Sequence, residues 1–286
     1  MNTSLYISSG ALQAYQQKID TAANNVANVN TNGFKRKDQS FSEILAAQIN
    51  NQSDPTQEVG RQTPNGIRVG YGARAGVTQL DTEQGQAIET GNPFDLMIQG
   101  TGFFQVEYPA AKAGGQNEIR YTRDGNFHLS PNPNKPGTYH LVNANGGLLL
   151  DQNGSPIELS GQNEVKIDSI GQIQLKNKNG SGTADFTSPQ RVGIVDIQNP
   201  HILKNMGANE FSIDPTVLAN GTNTTNYLRT MAAGEAQISS GYLEGSNVDL
   251  TTEMTDLMTS QRSFQMNARA VSYADQMMGI ANNIMK

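Results

Sequence analysis

Both ends of this chain carry an apolar residue every seventh position. Leu250, Leu257, Phe264, Val271, Met278 and Met285 keep this interval without a break to the C-terminus, and Leu5, Leu12, Ile19 and Val26 keep it near the N-terminus. Such a period holds one narrow stripe toward a partner over many helical turns, which is the pattern of helices that supercoil together. One helix cannot bury the stripe alone. The pattern therefore predicts joints between helices, with other copies of the chain as partners or with the two terminal helices pairing inside one chain. Ser8, Tyr15, Ala22 and Val29 form the companion row at the N-terminal end. At the C-terminal end Met254, Gln261, Asp275 and Asn282 take that place, where a polar group lowers stability but fixes register. Methionine is frequent there (Met254, Met258, Met266, Met277, Met278, Met285), and its flexible thioether suits contacts that differ from one neighbour to the next.

Between these helices the periodicity changes, and the expected fold class is α+β. Long N- and C-terminal helices pair as a coiled-coil-like domain (residues 1–34 and 238–286), and a mainly antiparallel β domain occupies residues 77–237. The first helix is expected over residues 3–28 and ends in Asn24, Asn25, Asn28, Asn30, Asn32 and Gly33, which compete for backbone hydrogen bonds or tolerate left-handed conformations. A basic cluster, Lys35, Arg36 and Lys37, follows; it is read either as a solvated loop or as a contact to an acidic surface on a neighbour. In the connecting segment, residues 35–76, Phe41, Ile44, Leu45 and Ile49 suggest a short amphipathic helix, and residues 50–76 a loop or extended ribbon. Short apolar runs at 95–98, 103–106 and 192–197 then alternate with turn dipeptides, Asp124-Gly125, Asn145-Gly146, Asn153-Gly154 and Asn179-Gly180, that offer positive-φ positions. Helical periodicity returns beyond Gly234, with Asn247 or Asp249 as N-cap and Glu253 in the first turn, over roughly 35 residues.

Composition narrows the function. The chain has 286 residues, enough for about two domains. A net charge of -6 gives no general attraction to nucleic acid or anionic membranes. Cysteine is absent, which removes disulfides, thiolate nucleophiles and cysteine metal sites. No stretch approaches the roughly 20 apolar residues of a membrane span, and the first residues lack a basic segment followed by a long apolar run, so no membrane insertion and no Sec-type signal are expected. His128, His140 and His201 are too dispersed for metal-ligand spacing. Asp151, Asn153 and Ser155 alternate as in a calcium loop, but Gln162 stands where a bidentate Glu belongs, so a hairpin turn is the better reading. Gly70, Gly72 and Gly76 have the wrong spacing for a dinucleotide loop. Asp124 and Glu118 remain as carboxylates that a glycoside-cleaving enzyme would have to pair in space. No catalytic residue, cofactor, metal or small-molecule substrate is assigned.

Residues 23–36, ANNVANVNTNGFKR, are very similar to the N-terminal signature of the bacterial flagellar rod and hook proteins, with Asn24, Asn25, Asn28, Asn30, Thr31, Gly33 and Phe34 as its matching positions. The resemblance continues, in order, through TGNPFDLMIQGTGFFQV at 90–106, YTRDGNFHL at 121–129 and the long segment at 241–278. PNGIRVGYGARAG at 64–76 looks most like the distal rod branch of that family, although NNQSDPTQEVGRQ at 50–62 departs from its pattern. The resemblance implies a structural subunit exported unfolded through the flagellar type III apparatus, without a cleaved signal peptide, to the basal body in the cell envelope. Its partners would be copies of itself, other rod and hook axial proteins, and the export apparatus. It implies terminal helices that polymerise into a hollow shaft carrying motor torque, with self-assembly resting on Leu5, Leu12, Ile19, Val26, Val29, Leu250, Met254, Leu257, Phe264, Val271, Met278 and Met285. Residues 46–70 would help stiffen the shaft, or act as a disordered linker. A hook or proximal rod subunit, a secreted adhesin and a peptidoglycan-cleaving enzyme are the alternatives.

Overall fold

The computed structural model describes residues 2–44, 46–49, 67–109, 117–133, 135–160, 163–177, 186–213, 228–232 and 234–284. Helix α1 spans Asn2–Ala27 and helix α2 spans Leu250–Ile284; the described residues between them form strands and turns, with one 3-10 helix among them at Pro200–Ile202. The fold is α+β, and the strand pairs of its β-rich unit are antiparallel. The chain divides into two compact units, and the division differs from the expected boundaries. One unit joins Met1–Ala27, Lys37–Gln79 and Asp249–Lys286; the other joins Asn28–Arg36 to Leu80–Val248. Residues 28–34 and 238–248, expected with the helices, fall in the unit of the strands, and the described residues of 37–76, expected as a connecting segment, fall in the unit of the helices.

In the helical unit α1 and α2 pack against each other. The short helix expected from Phe41, Ile44, Leu45 and Ile49 is not formed. Lys37–Glu43 is a strand paired with Ala73–Leu80, and Ala46–Ile49 is a strand paired with Ile67–Gly70; residue 45 and residues 50–66, including most of the segment expected to stiffen the shaft, lie outside the described residues. Tertiary contacts decide against the helix. The Asn25 side chain captures both backbone groups of Lys37, accepting from its N–H at 3.0 Å and donating to its carbonyl at 2.9 Å. Two residues on, Gln39 meets Thr21 and Gln17 of α1, and two further, the Phe41 ring lies 5.3 Å from that of Tyr15. That two-residue repeat toward α1 is a strand's, not a helix's.

The second unit is built on one large sheet. Its strands run Glu158–Ser160, Thr138–Asn143, Leu148–Leu149, Phe103–Tyr108, Glu118–Thr122, Glu210–Ile213 and Leu203–Gly207, with Ile194–Ile197 also paired to Phe103–Tyr108. One core cluster gathers Leu96, Ile98, Phe104, Phe127, Leu141, Leu149, Ile157 and Ile173, and Phe103, Tyr121, Val195 and Phe211 form a second. Gly146 and Gly154 take positive φ at their turns, as the dipeptides predict. Gly125 does not: it is needed because a Cβ there would stand 1.6 Å from the Leu96 carbonyl oxygen, and 179–180 lie outside the described residues. Asp151 is buried and its Oδ1 accepts from the N–H groups of Asn153 and Ser155, so the calcium-like spacing is a side-chain-capped turn.

One buried carboxylate closes the sheet. Glu210 accepts from Tyr108 Oη, Asn143 Nδ2 (2.8 Å), Asn145 Nδ2 (3.0 Å) and Arg120 Nη1 (3.0 Å). Burial alone would raise its pKa, but these donors outweigh burial and hold it below the ordinary 4.5, while burial and the Glu210 contact push the Tyr108 hydroxyl up to about 12. A depressed carboxylate contributes stability that is complete above its unfolded pKa and is lost as pH falls through the folded one. Acid titration of the folded chain should therefore lose stability below pH 4.5, and Glu210→Gln should flatten that limb while lowering the denaturant midpoint at pH 7. Gly125→Ala, which forces a methyl into the Leu96 carbonyl, should lower stability by about 3 kcal/mol in urea titration.

Candidate assembly interface

Helix α2 starts at Asp249, whose Oδ1 accepts from the Thr251 N–H at 3.0 Å and whose Oδ2 accepts from the Thr252 hydroxyl at 2.7 Å. These bonds, the Thr252 one foremost, hold the Asp249 carboxyl below its ordinary range. Of the two expected caps, Asp249 is the one used. Along α2 the expected seven-residue row, Leu257, Phe264, Val271 and Met278, is half-buried. Its companion is not the expected one. Gln261, Asp275 and Asn282 are exposed, and the row turned inward is instead Glu253, Ser260 and Ala274, all buried, with Asn267 and Ala281 half-buried. Small or hydrogen-bonded side chains let the two helices approach: Ser260 and Ala274 are small, Glu253 accepts from Asn25, and Ala14 and Ala22 are buried on α1. Leu5, Leu12, Ile19 and Val26 on α1 are half-buried, as is Val29 just beyond it. Leu250 is 43% exposed and Met254 51%, so neither is covered, and Met285 lies outside the described residues.

A second stripe faces away from α1. Met266, Tyr273 and Ile280 repeat every seven residues, with Met277 and Ile284 interleaved, and their exposures run from 53% to 79%. Met266, Tyr273 and Ile280 are offset by two from the Leu257, Phe264, Val271 and Met278 row, about 200° around a helix, and by one, about 100°, from the Glu253, Ser260 and Ala274 row. The signal was present in the sequence as a second seven-residue period, hidden because the leucine row is more apolar.

Family-signature residues occupy both units. In the helical unit Asn25 is buried; besides the Lys37 backbone it donates to Glu253 Oε2 at 3.2 Å, so one amide ties α1, the strand after it and α2. Asn24 is exposed, with its Oδ1 3.5 Å from Lys37 Nζ. In the β unit Asn28 and Thr31 form a turn, Asn30 is exposed, and Phe34 is buried. Gly33 at φ +67 donates its N–H to the Glu244 carbonyl at 2.7 Å, and a Cβ there would lie 2.4 Å from the Asp124 nitrogen. Lys35, expected at the surface, is instead buried.

Lys35 is buried because Glu244 receives it. The carboxylate takes Lys35 Nζ at 2.6 Å and the Gly85 N–H at 3.0 Å on one oxygen, and Arg123 Nη1 at 3.0 Å on the other. Lys35 also donates to the Glu83 carbonyl at 2.6 Å, and Arg123 to the Gly100 carbonyl at 2.7 Å. Burial lowers the Lys35 pKa, against the pull of Glu244. Only Glu244 gave a local signal, as a lone charge in GYLEG that must be paired if the run is buried; Lys35 lies in NGFKRKD and Arg123 in YTRDG, which read as surface.

None of these groups is arranged for chemistry. Glu118 is drawn to Arg120, which holds its carboxyl below the ordinary range; Asp124 is pushed up, chiefly by burial, and has its Oδ1 capping the Asn126 N–H. His128 is on an exposed strand face and His140 Nδ1 lies 3.2 Å from the Ile157 carbonyl.

A packed pair of terminal helices, of which α2 keeps uncovered apolar side chains, and a separate strand-built unit define a structural protein suited to assembly. Three family descriptions match: "Flagella basal body rod protein" over residues 5–35, "Flagellar hook protein FlgE/F/G D1 domain" over 97–181 and "Flagellar basal body rod FlgEFG protein C-terminal" over 239–284. The flagellar hook-basal body complex protein FlhP of Bacillus subtilis is 37% identical, across 99% of this chain and all of that protein. The flagellar basal-body rod proteins FlgG of Caulobacter vibrioides and Agrobacterium fabrum are 32% and 31% identical, over 96% and 99% of this chain and the same shares of theirs. The chain belongs to the flagellar rod and hook axial protein family, which is structural and not enzymatic.

Removing one partner of a buried ion cluster leaves the others unpaired. Glu244→Ala should lower the stability of the β unit by about 3 to 5 kcal/mol, measured by denaturant titration. Glu253→Ala should lower that of the helical unit by about 1 to 3 kcal/mol, seen as earlier loss of helical circular dichroism.

Proposed function

We propose that this chain is a structural subunit of the flagellar basal-body rod, of the distal rod type, which polymerises through α1 and α2 into a hollow shaft that transmits motor torque to the hook. The observation that carries this reading is the outward stripe on α2. Met266, Tyr273, Met277, Ile280 and Ile284 are exposed large apolar side chains at a seven-residue repeat, a pattern that water disfavours and a second helix covers. The terminal helices engage neighbours in a coiled-coil-like manner, and Leu250 and Met254 extend that contact toward the start of α2. Copies of the same chain and other rod and hook proteins are the partners. Delivery to the basal body goes through the flagellar export apparatus without a cleaved signal peptide; among the described residues, no helix is long and apolar enough to cross a membrane.

The distal placement draws on full-length similarity to proteins named FlgG and FlhP. Electron microscopy of hook-basal bodies from a strain lacking the chain tests it. A rod that stops short supports the placement, a complete rod without a hook reassigns the chain to the hook, and an intact flagellum overturns the axial function. Tyr273→Asp and Ile280→Asp, both on the exposed face, should leave the circular dichroism and melting of the isolated chain unchanged while abolishing incorporation, because burying an unpaired carboxylate is costly.

A further inference from the structure

Helix α2 exposes four methionine thioethers along its length. Met254 and Met258 are each 51% exposed and one turn apart; Met266, at 63%, and Met277, at 53%, stand three turns apart within the outward stripe. The other methionines on the described surface divide into useful contrasts. Met97 is 4% exposed in the β core, Met278 is half-buried toward α1, and Met206 is 43% exposed but belongs to the strand Leu203–Gly207 in the other unit. Thioether oxidation follows access, so these sulfurs do not react alike.

We propose that Met254, Met258, Met266 and Met277 form a peroxide-sensitive site at which oxidation of the unassembled chain blocks its polymerisation. The inference rests on the assembly function proposed above. In the reaction a methionine sulfur lone pair attacks one oxygen of hydrogen peroxide. The S–O bond forms as the O–O bond breaks, the departing hydroxide takes the proton of the transferred oxygen, and water leaves. Sulfur is oxidised by two electrons and the peroxide reduced by two. The product carries a strong dipole where the helix offered an apolar contact, and a neighbour that covers it must bury an oxygen without a donor. Once neighbours cover α2, the same thioethers lose contact with the oxidant. Oxidation thus acts on subunits before they assemble and spares those already in place. Methionine sulfoxide reductases, one for each sulfoxide epimer, reverse it.

The test uses the purified full chain, treated with hydrogen peroxide and followed by timed peptide mass mapping and by sedimentation and electron microscopy of polymer. The four thioethers are expected to oxidise roughly tenfold faster than that of Met97, in line with their access. Polymer should be lost in parallel and return after treatment with both reductases. The chain with the four replaced by Leu is compared with its own polymer yield before treatment and should lose none of that yield to peroxide, whereas Met206→Leu should leave the sensitivity of the parent. Full oxidation of the four with unchanged polymer yield overturns the proposal, and so does a fourfold Leu variant as sensitive as the parent. If that variant is misfolded by circular dichroism, recovery by the reductases decides in its place, and no recovery overturns the proposal. A chain that forms no polymer before any peroxide is added, and whose deletion leaves the flagellum intact, overturns the assembly function itself; a polymer indifferent to peroxide overturns only the oxidation site.

Discussion

The Glu244 carboxylate is the contact on which the geometry of the β unit depends. It is 1% exposed and is shared by two cations, so the cluster keeps a net positive charge in a place that water does not reach. Such an arrangement is unfavourable unless nearly every donor is used, because desolvating the ions costs more than their attraction returns in poor geometry. Here the backbone completes it. The Glu83 and Gly100 carbonyls take the remaining directions of Lys35 and Arg123, and the guanidinium carbon stands 5.4 Å from the centre of the Phe103 ring. Arg123 Nε has no partner within the described residues, which leaves one polar atom unsatisfied in the cluster.

What the cluster holds together are the points where the chain leaves the β unit. Four such crossings exist, beyond residues 28, 36, 80 and 248. Arg36 donates its N–H to Asn247 Oδ1 at 2.7 Å, Asn247 Nδ2 donates to the Asp81 carbonyl at 3.2 Å, and the Asp81 N–H donates to the Arg36 carbonyl at 2.8 Å. Three of the four exits are therefore closed in one ring of hydrogen bonds, directly beside the Lys35–Glu244 pair. Separately each bond is worth only about 1 kcal/mol, but a closed ring moves as a unit, since shifting one exit breaks bonds to both others. The position of Asn247 explains why it is not the helix cap: its amide is occupied here, which leaves Asp249 to start α2.

Legibility in the sequence followed how local each signal was. The helices were readable because their apolar period persists over many turns, and the β character because turn dipeptides and short apolar runs alternate. The strand Lys37–Glu43 was not readable. Its Phe41 and Ile44 fit a helix as well as a strand, and the choice is made by Asn25 and Tyr15, which reach it from α1. The seam of α2 was half readable: Leu257, Phe264, Val271 and Met278 are half-buried, but the companion row read as register-fixing, Met254, Gln261, Asp275 and Asn282, is exposed. Glu253 and Ser260 look like surface residues in any composition count, and both are buried because small or hydrogen-bonded groups permit close approach. The Lys35 pairing joins residues more than 200 positions apart, and no local pattern anticipates that.

The two faces of α2 divide the work unequally. Toward α1 the helix presents a polar and small row, Glu253, Ser260, Asn267, Ala274 and Ala281, beside the larger Leu257, Phe264, Val271 and Met278. Outward, over its C-terminal half, it presents Met266, Tyr273, Met277, Ile280 and Ile284. Small residues bury little apolar area, so the pairing inside one chain is specified more by the Asn25–Glu253 bond than by hydrophobic gain. The larger gain is left for whatever covers the outer face. Each large apolar side chain that goes from exposed to buried contributes about 1.5 to 3 kcal/mol before the entropy of association is subtracted. A helix pair that is register-fixed but thinly packed, and that carries most of its unspent apolar surface outside, is stabilised most by adding a neighbour. On the proposed assembly, folding of the terminal helices and growth of a polymer become one coupled equilibrium, in which each incoming subunit would complete the structure of the one before it.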